Sequence, residues 1–150
     1  MLFICSATAA EPDEDHHIKL TKEVVASEDI ISQLISGEPV RYDNVTISGS
    51  LELAELQGSL SQPIKITNSI FLGPVRFAAA SFDEPLDLQG CIFRDNVNFF
   101  GCRFAGGAGF AGVTFEGQAD LRNTDFGGQA SFLSAQFSED ASFRNSQFAG

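Results

Sequence analysis

Residues 97–115 read VNFFGCRFAGGAGFAGVTF, and this stretch decides the fold. Its phenylalanines at positions 99, 104, 110 and 115 are separated by steps of five, six and five residues. The same alternation of five and six runs without error through the large apolar residues from Ile66 to Phe148. So constant a period predicts a repeat protein in which equivalent side chains occupy equivalent environments.

A second, mostly smaller residue stands two positions before each large one, as in Cys91-Ile92-Phe93. Because side chains alternate between the two sides of a strand, each small-x-large unit predicts a minimal strand with both apolar residues facing inward. The two or three residues that join the units, such as Gly106-Gly107, are typical of turns and predict corners. A helix is excluded, since steps of five and six advance by about 140° and 240° around a helix axis.

These units resemble those of the pentapeptide-repeat family, which have a small residue two positions before a central Leu or Phe. The resemblance covers residues 64–150 strongly and residues 45–60 loosely. It implies an all-β fold, a right-handed quadrilateral β-helix with four faces in each coil. Since every second step is six, four faces take about 22 residues rather than about 20. Two of the four corners are therefore expected to be wider, and a coil with two or three sides stays open as an alternative.

With about 22 residues per coil, side chains that are 22 apart in sequence stack in columns. One predicted inner column consists of Phe71, Phe93, Phe115 and Phe137. Cys91 and Cys102 are 11 residues apart, so they are expected on opposite faces, as small apolar fillers without a disulfide. The third cysteine, Cys5, lies far outside the repeats.

Three segments are predicted before the repeats. Residues 1–10 contain Ala7-Thr8-Ala9, which fits the small-x-small cleavage pattern, and they predict the last part of a truncated signal peptide, with an ordinary frayed terminus as the alternative. Residues 11–26 predict a flexible acidic arm. The signal would make the protein exported or associated with the cell envelope; without it, a cytoplasmic location is expected.

Residues 27–37 predict a short helix that caps the solenoid. Ser27 is a suitable N-cap, and Gly37 is a suitable residue after the last helical turn. So short a helix must dock its apolar stripe of Ile30, Ile31, Leu34 and Ile35, and the open end of the solenoid offers the surface. Residues 38–150 are then assigned to the solenoid.

The net charge and the positions of the histidines argue against several classes of function. The net charge is −11, with −6 in residues 1–50 and −5 in residues 51–150, so direct binding to nucleic acid is not expected. Both histidines, His16 and His17, lie in the arm near Asp13 and Asp15, where no rigid scaffold would hold a metal ion. Nothing resembles a catalytic or cofactor site, and the chain is therefore interpreted as non-enzymatic and without a cofactor.

The remaining interpretation is a structural or protein-interaction module with an unknown protein partner. Phe100 and Leu133 each follow an inward phenylalanine and are expected to face outward, so they are the first candidates for a contact with that partner. The alternative comes from the resemblance, since one branch of the family mimics DNA and binds gyrase through an acidic surface. Two outer columns are predicted, and in both the charges are mixed, so they do not favour such mimicry: Arg76, Asn98, Asp120 and Ser142, and Ser81, Arg103, Asp125 and Gln147.

The repeats run to Phe148 without a predicted cap. An uncovered solenoid end exposes strand edges and core side chains. Two explanations are predicted: the chain continues into missing sequence, or the last coil pairs with a second copy as a homodimer.

Overall fold

The structure, a computed structural model, describes residues 22–53 and 58–149. These residues form a β-solenoid of about six turns, with about 22 residues in each coil and one short helix near the N-terminus. Strands one coil apart pair in parallel and build four sheets, which we call faces 1 to 4 in the order in which the chain visits them. The predicted four-sided coil is confirmed, and the alternatives with two or three sides are wrong.

Face 1 contains six strands and each of the other faces five. Face 1 consists of β1 (Glu23–Ala26), β3 (Val45–Ser48), β7 (Ile70–Phe71), β11 (Ile92–Phe93), β15 (Thr114–Phe115) and β19 (Gln136–Phe137). Face 2 consists of β4 (Leu51–Glu52), β8 (Val75–Arg76), β12 (Val97–Asn98), β16 (Ala119–Asp120) and β20 (Ala141–Ser142). Face 3 consists of β5 (Ser59–Leu60), β9 (Ser81–Phe82), β13 (Arg103–Phe104), β17 (Asp125–Phe126) and β21 (Gln147–Phe148). Face 4 consists of β2 (Val40–Asp43), β6 (Ile64–Thr67), β10 (Leu86–Asp87), β14 (Ala108–Gly109) and β18 (Ala130–Ser131).

The register follows the period of the sequence. Phe93 pairs with Phe115, which lies 22 residues later. The pairings of β2, β3 and β4 with the next coil join residues 24 apart, such as Leu51 and Val75, whereas β5 pairs at a spacing of 22, as Ser59 does with Ser81. The coil that contains β4 therefore holds two more residues than the coils that follow it, and the register places them between β4 and β5.

The corners are of two kinds, as the alternating steps predict. Two residues link the inward positions after faces 2 and 4, in a tight turn such as that where the N–H of Cys102 donates to the carbonyl of Phe99 at 3.0 Å. Gly101 occupies the third position of this turn with a φ of 68°, a conformation that glycine adopts without strain. Three residues link the inward positions after faces 1 and 3. The extra residue of each six-residue step therefore widens these two corners.

The phenylalanine columns fill the bore. Phe71, Phe93, Phe115 and Phe137 stack on face 1 with ring centroids 4.5, 5.3 and 4.9 Å apart. Neighbouring columns meet at steep angles, as for Phe104 and Phe110, whose ring planes are 85° apart. Each buried phenylalanine contributes on the order of 2 kcal/mol through loss of contact with water, and these aromatic contacts add a smaller amount.

The helix α1 (Ser27–Ser36) covers the N-terminal end of the bore. Ile30 and Leu34 are buried there, whereas Ile35 remains 66% exposed, so the docked stripe is narrower than predicted. Gly37 adopts the left-handed conformation expected of it, with a φ of 77°. The N-cap is Ala26 rather than Ser27, which is the first helical residue and lies buried. No helix in the described part of the chain has the length and apolarity needed to cross a membrane.

The prediction of a flexible arm over residues 11–26 is wrong for its last four residues. Glu23–Ala26 form β1, which pairs with β3 over four residues. The physical reason is that Val25 is buried as an inward residue of face 1, so this mostly apolar stretch begins the solenoid. The rest of the arm and the predicted signal peptide, residues 1–21, lie outside the described residues, as does Cys5.

The two repeat cysteines lie on faces 1 and 3, as predicted, and both are buried and free of a disulfide. They are more than apolar fillers. The Sγ of Cys91 donates to the carbonyl of Ile66 at 3.0 Å, and the Sγ of Cys102 donates to the carbonyl of Phe77 at 2.8 Å. Ser146 makes the equivalent contact to the carbonyl of Leu121. The small inward residue can thus bond a coil to a corner carbonyl of the previous coil.

The first prediction concerns the wide corner at Gly106. A Cβ atom on Gly106 would lie 2.4 Å from the carbonyl carbon of Glu84, in the backbone of the previous coil. We expect Gly106→Ala to lower the free energy of unfolding by about 1–3 kcal/mol, since one coil must move away from the other. Gly127→Ala is the matched control, because its nearest neighbour would lie at 3.7 Å. Chemical denaturation of both variants measures the difference, and equal stabilities would contradict the stacking described.

The second prediction concerns the buried thiols. Burial raises the pKa of both Cys91 and Cys102 to about 12, whereas an unfolded thiol titrates near about 8.5. Above about pH 8.5 the unfolded chain loses these protons and the folded chain keeps them. We therefore expect stability to fall between about pH 8.5 and 12, by about 1.4 kcal/mol per pH unit for each thiol.

The control for this prediction is the double variant Cys91→Ser/Cys102→Ser, in which the hydroxyls can still donate to the corner carbonyls. Denaturation of both proteins from neutral to alkaline pH gives the two slopes. The double variant should lose less stability over this interval than the natural sequence. Identical pH profiles would show that the thiols are not buried in their neutral form.

Candidate interaction surface

The middle residue of each small-x-large unit faces outward, and these residues form one column on each face. The predicted columns on two faces are confirmed, since Arg76 pairs with Asn98 on face 2 and Ser81 with Arg103 on face 3. The column of face 2 contains Glu52, Arg76, Asn98, Asp120 and Ser142. The column of face 3 contains Ser59, Ser81, Arg103, Asp125 and Gln147. The column of face 4 contains Arg41, Lys65, Asp87, Gly109 and Ser131.

Each of these three columns contains an ion pair between neighbouring coils. Lys65 lies 3.5 Å from Asp87 on face 4, and Arg103 lies 3.7 Å from Asp125 on face 3. Arg76 pairs with Glu52 in the same way on face 2. Except for Asp87, which is 23% exposed, these side chains are about half exposed to solvent, and each pair contributes about 0.2–1 kcal/mol. The mixture of arginine and aspartate therefore joins neighbouring coils and gives no continuous acidic or basic stripe on these columns.

Asp120 and Arg122 form a further pair within one coil. Nε and Nη2 of Arg122 donate to the two carboxylate oxygens of Asp120 at 2.8 and 2.7 Å. These hydrogen bonds hold the pKa of Asp120 below its ordinary value. The pair fixes the Arg122 guanidinium at the edge of face 2.

Face 1 differs from the other three faces because its outer column has no charge. From the first strand to the sixth the column contains Val24, Thr46, Ile70, Ile92, Thr114 and Gln136. Val24 is 65% exposed, and the four residues that follow it are half-buried. Leu72 stands beside this column at the corner after face 1 and is 50% exposed. We call these seven residues the neutral face.

The charges at the borders of the neutral face include Lys22 and Asp43 on one side and Arg94 and Glu116 on the other. On the side of the tight corners the residues are Asn44, Asn68, Gly90, Gly112 and Ser134, all in the left-handed conformation. Lys22 approaches this border, where its Nζ donates to the carbonyl of Asn68 at 2.6 Å. On the opposite border Arg94 lies 3.4 Å from Glu116, so these two charges neutralise each other. The neutral face is consequently the outer column that loses least hydration when it is covered.

The two residues predicted as partner contacts are both exposed, Phe100 by 39% and Leu133 by 75%. They do not form one surface. Phe100 lies at the corner after face 2 and Leu133 at the corner after face 4, on opposite sides of the solenoid. The guanidinium of Arg122 also lies over the Phe100 ring, 5.5 Å from its centre, and covers part of it.

The sequence reasoning missed the neutral face. Its signal was present, because aligning the middle residues at a spacing of 22 places Ile70, Ile92 and Thr114 in one column. Val24 could not be included, since its strand was assigned to the arm.

The described part of the chain contains no cluster of side chains suited to binding a metal ion. Within residues 22–53 and 58–149, no three His, Cys, Asp or Glu side chains come together in a way that could hold a metal ion. His16 and His17, with Asp13 and Asp15, lie outside these residues.

The inward side chains of the last coil are less buried than those of the middle coils. Phe137 and Phe143 are half-buried there, and Phe148 is 52% exposed. Pairing of two copies through this coil, or continuation of the coils, stays a prediction.

The comparisons with known proteins agree with the geometry of the coils. A family model described as pentapeptide repeats, with nine copies, matches residues 66–114 and 110–150. Neither a curated protein nor a solved structure matches the chain.

Proposed function

This chain belongs to the pentapeptide-repeat family, and from that premise we propose that it is a non-enzymatic module that binds another protein through the neutral face. The repeats and the solenoid support a structural or interaction role in general. The neutral face adds the contact surface. The single observation that carries the proposal is the absence of charge from its outer column, over six stacked strands.

The energetic reason lies in the cost of removing water. A partner that covers face 2, 3 or 4 must desolvate ion pairs that already satisfy each other, such as Lys65 with Asp87. On the neutral face a partner removes water from Val24, Ile70, Leu72 and Ile92, which contributes about 25 cal/mol for each Å² of apolar surface. Thr46 and Thr114 add methyl groups to this surface, together with hydroxyls that can bond to the partner.

The rigidity of the surface is the second support. Ile70 and Ile92 lie in strands in which the next residues, Phe71 and Phe93, are buried and stacked on each other in the bore. Their backbone positions are therefore fixed before any partner arrives, and little conformational entropy is lost on binding.

The location of the partner forms part of the same proposal. Residues 1–10 predict export, which would place the partner in the cell envelope. In a cell that retains the protein, the same face would meet a cytoplasmic partner. The DNA-mimic alternative is not proposed, because the outer columns of faces 2, 3 and 4 carry both signs of charge.

The third prediction tests the neutral face with a photoreactive side chain. We expect p-benzoylphenylalanine in place of Ile92 to form a cross-link to one protein in cells of the source organism after illumination. p-Benzoylphenylalanine in place of Ser81 is the matched control, since Ser81 occupies the equivalent outward position in a strand of face 3. Gel electrophoresis and mass spectrometry of the adduct identify the partner.

Two results would contradict the proposed function. One is an equally strong cross-link from position 81, which would show that contact is not confined to face 1. The other is no adduct from position 92 and none from position 114, which lies in the next coil of the same face. Thermal unfolding of each labelled protein confirms that the folded state is intact.

A further inference from the structure

We propose that residues 18–21, which precede the described part of the chain, bind to the open edge of β2 as a sixth strand of face 4. The proposal goes beyond the function proposed above, because it concerns a part of the molecule that the neutral face does not include. It follows from the edge of β2, from the path of the chain before β1, from the sequence of these four residues and from the exposed side of α1.

The edge of β2 that faces away from β6 has no partner strand among the described residues. Face 4 ends at β2, whereas face 1 continues to β1. The N–H of Val40 donates to the carbonyl of Pro63 in the next coil at 3.3 Å. Because alternate residues of a strand direct their backbone groups to opposite edges, Arg41 and Asp43 direct theirs to the open edge. Such an edge is a template on which a further strand can pair.

The chain reaches β1 from the side of face 4. In the next coil a tight corner of two residues leads from face 4 to Val45, the first inward residue of face 1. Glu23 is the register partner of Val45, so the two residues before Glu23 occupy the equivalent corner. The side chain of Lys22 lies at this corner, since its Nζ donates to the carbonyl of Asn68, which occupies the same corner two coils later. Residues 18–20 therefore precede the corner, as β2 and β6 do in the following coils.

The sequence of residues 18–21 fits a strand of face 4. It reads IKLT, and β6, which pairs with β2 on its other edge, reads IKIT. The spacing of 22 at which β1 pairs with β3 places Ile18 beside Val40 and Leu20 beside Tyr42, both at inward positions. Ile18 and Leu20 are also the two large apolar residues of an otherwise polar stretch, residues 11–21. The small-x-large spacing of the repeats thus continues for one strand before β1.

The helix α1 lies beside the place that this strand would occupy. Three residues, 37–39, separate α1 from β2, so the last helical turn lies within about 10–14 Å of Val40. The Nε2 of Gln33 donates to the hydroxyl of Tyr42 at 3.0 Å, which brings the helix against β2. The Oε1 of the same Gln33 is buried and has no donor among the described residues. Since a buried polar group without a partner costs free energy, a further segment that supplies a donor is expected here.

The exposed side of α1 offers the apolar contact. Ile35 is 66% exposed and Ile31 is half-buried, so the bore covers only part of the apolar stripe of the helix. A strand on the open edge of β2 would direct Ile18 and Leu20 towards α1. These contacts would remove apolar surface of the helix from water, which stabilises the strand in this position. Four backbone residues and two apolar side chains are thereby fixed together.

The fourth prediction tests the register of this strand with cysteine pairs, in the full chain with its three natural cysteines replaced by serine. Lys19→Cys with Arg41→Cys should form a disulfide on mild oxidation, because register partners have Cα atoms about 4.8 Å apart. Lys19→Cys with Lys65→Cys is the matched control. Lys65 follows Arg41 in the same outer column, about 9.6 Å from position 19, and should react at less than about a tenth of the rate. Mass spectrometry of proteolytic peptides measures both rates.

Hydrogen exchange gives a second, independent measurement on the full chain. In the proposed register the N–H of Arg41 donates to the carbonyl of Ile18. Leu20→Asp places a carboxylate at an inward position and should make the Arg41 amide exchange at least about tenfold faster. Lys19→Asp introduces the same charge at the neighbouring outward position and should change this rate by less than about threefold. Nuclear magnetic resonance resolves the amide, and the unchanged exchange of amides in the middle coils confirms that both variants fold.

Several outcomes would overturn the inference. Equal rates of disulfide formation with positions 41 and 65 would show that residues 18–21 have no fixed register, and no disulfide with either would place them elsewhere. An intermolecular disulfide, seen as a covalent dimer on a denaturing gel, would make a second copy the occupant of the edge. Equal exchange of the Arg41 amide in the two aspartate variants would show that Leu20 does not face inward. None of these results bears on the cross-link from position 92, so the two proposals can fail separately.

Discussion

Parallel stacking of each residue on its equivalent about 22 residues later is the constraint on which the rest of the structure depends. Tight corners alternate with wide ones, and a coil of two tight and two wide corners returns the chain to the same face. Phe93 then lies over Phe71, and Arg103 comes within reach of Asp125. The core, the ion pairs and the outer columns are consequences of this one register.

The same register places the residues that stabilise the fold inside the solenoid and the residues that can contact a partner outside it. Inward residues form the core, so an outer residue can change without disturbing it. On faces 2, 3 and 4 the outer positions carry charges that join neighbouring coils, as Lys65 and Asp87 do. On face 1 the outer positions of β7 and β11 are Ile70 and Ile92, which make no such pairs. A neutral, pre-ordered surface follows.

Much of this architecture could be predicted from spacing, because a repeat imposes its period on sequence and structure alike. The steps of five and six predicted the columns, the wide corners and the opposite positions of Cys91 and Cys102. Other features depend on contacts between distant residues and leave no local signal. β1 was missed because a single inward residue, Val25, determines its pairing. The bond from Cys102 to the carbonyl of Phe77 joins positions 25 residues apart, and only the stacked coils reveal it.

The register itself can be measured most directly with pairs of cysteines on face 3, in a chain whose Cys5, Cys91 and Cys102 are replaced by serine. Ser81 and Arg103 are register partners, with Cα atoms about 4.8 Å apart, within the range of about 4.4–6.8 Å that a disulfide spans. Ser81→Cys with Arg103→Cys should therefore form a disulfide on mild oxidation. Ser81→Cys with Asp125→Cys, two coils apart at about 9.6 Å, should remain reduced. A disulfide between positions 81 and 125, with none between 81 and 103, would contradict the coil of about 22 residues.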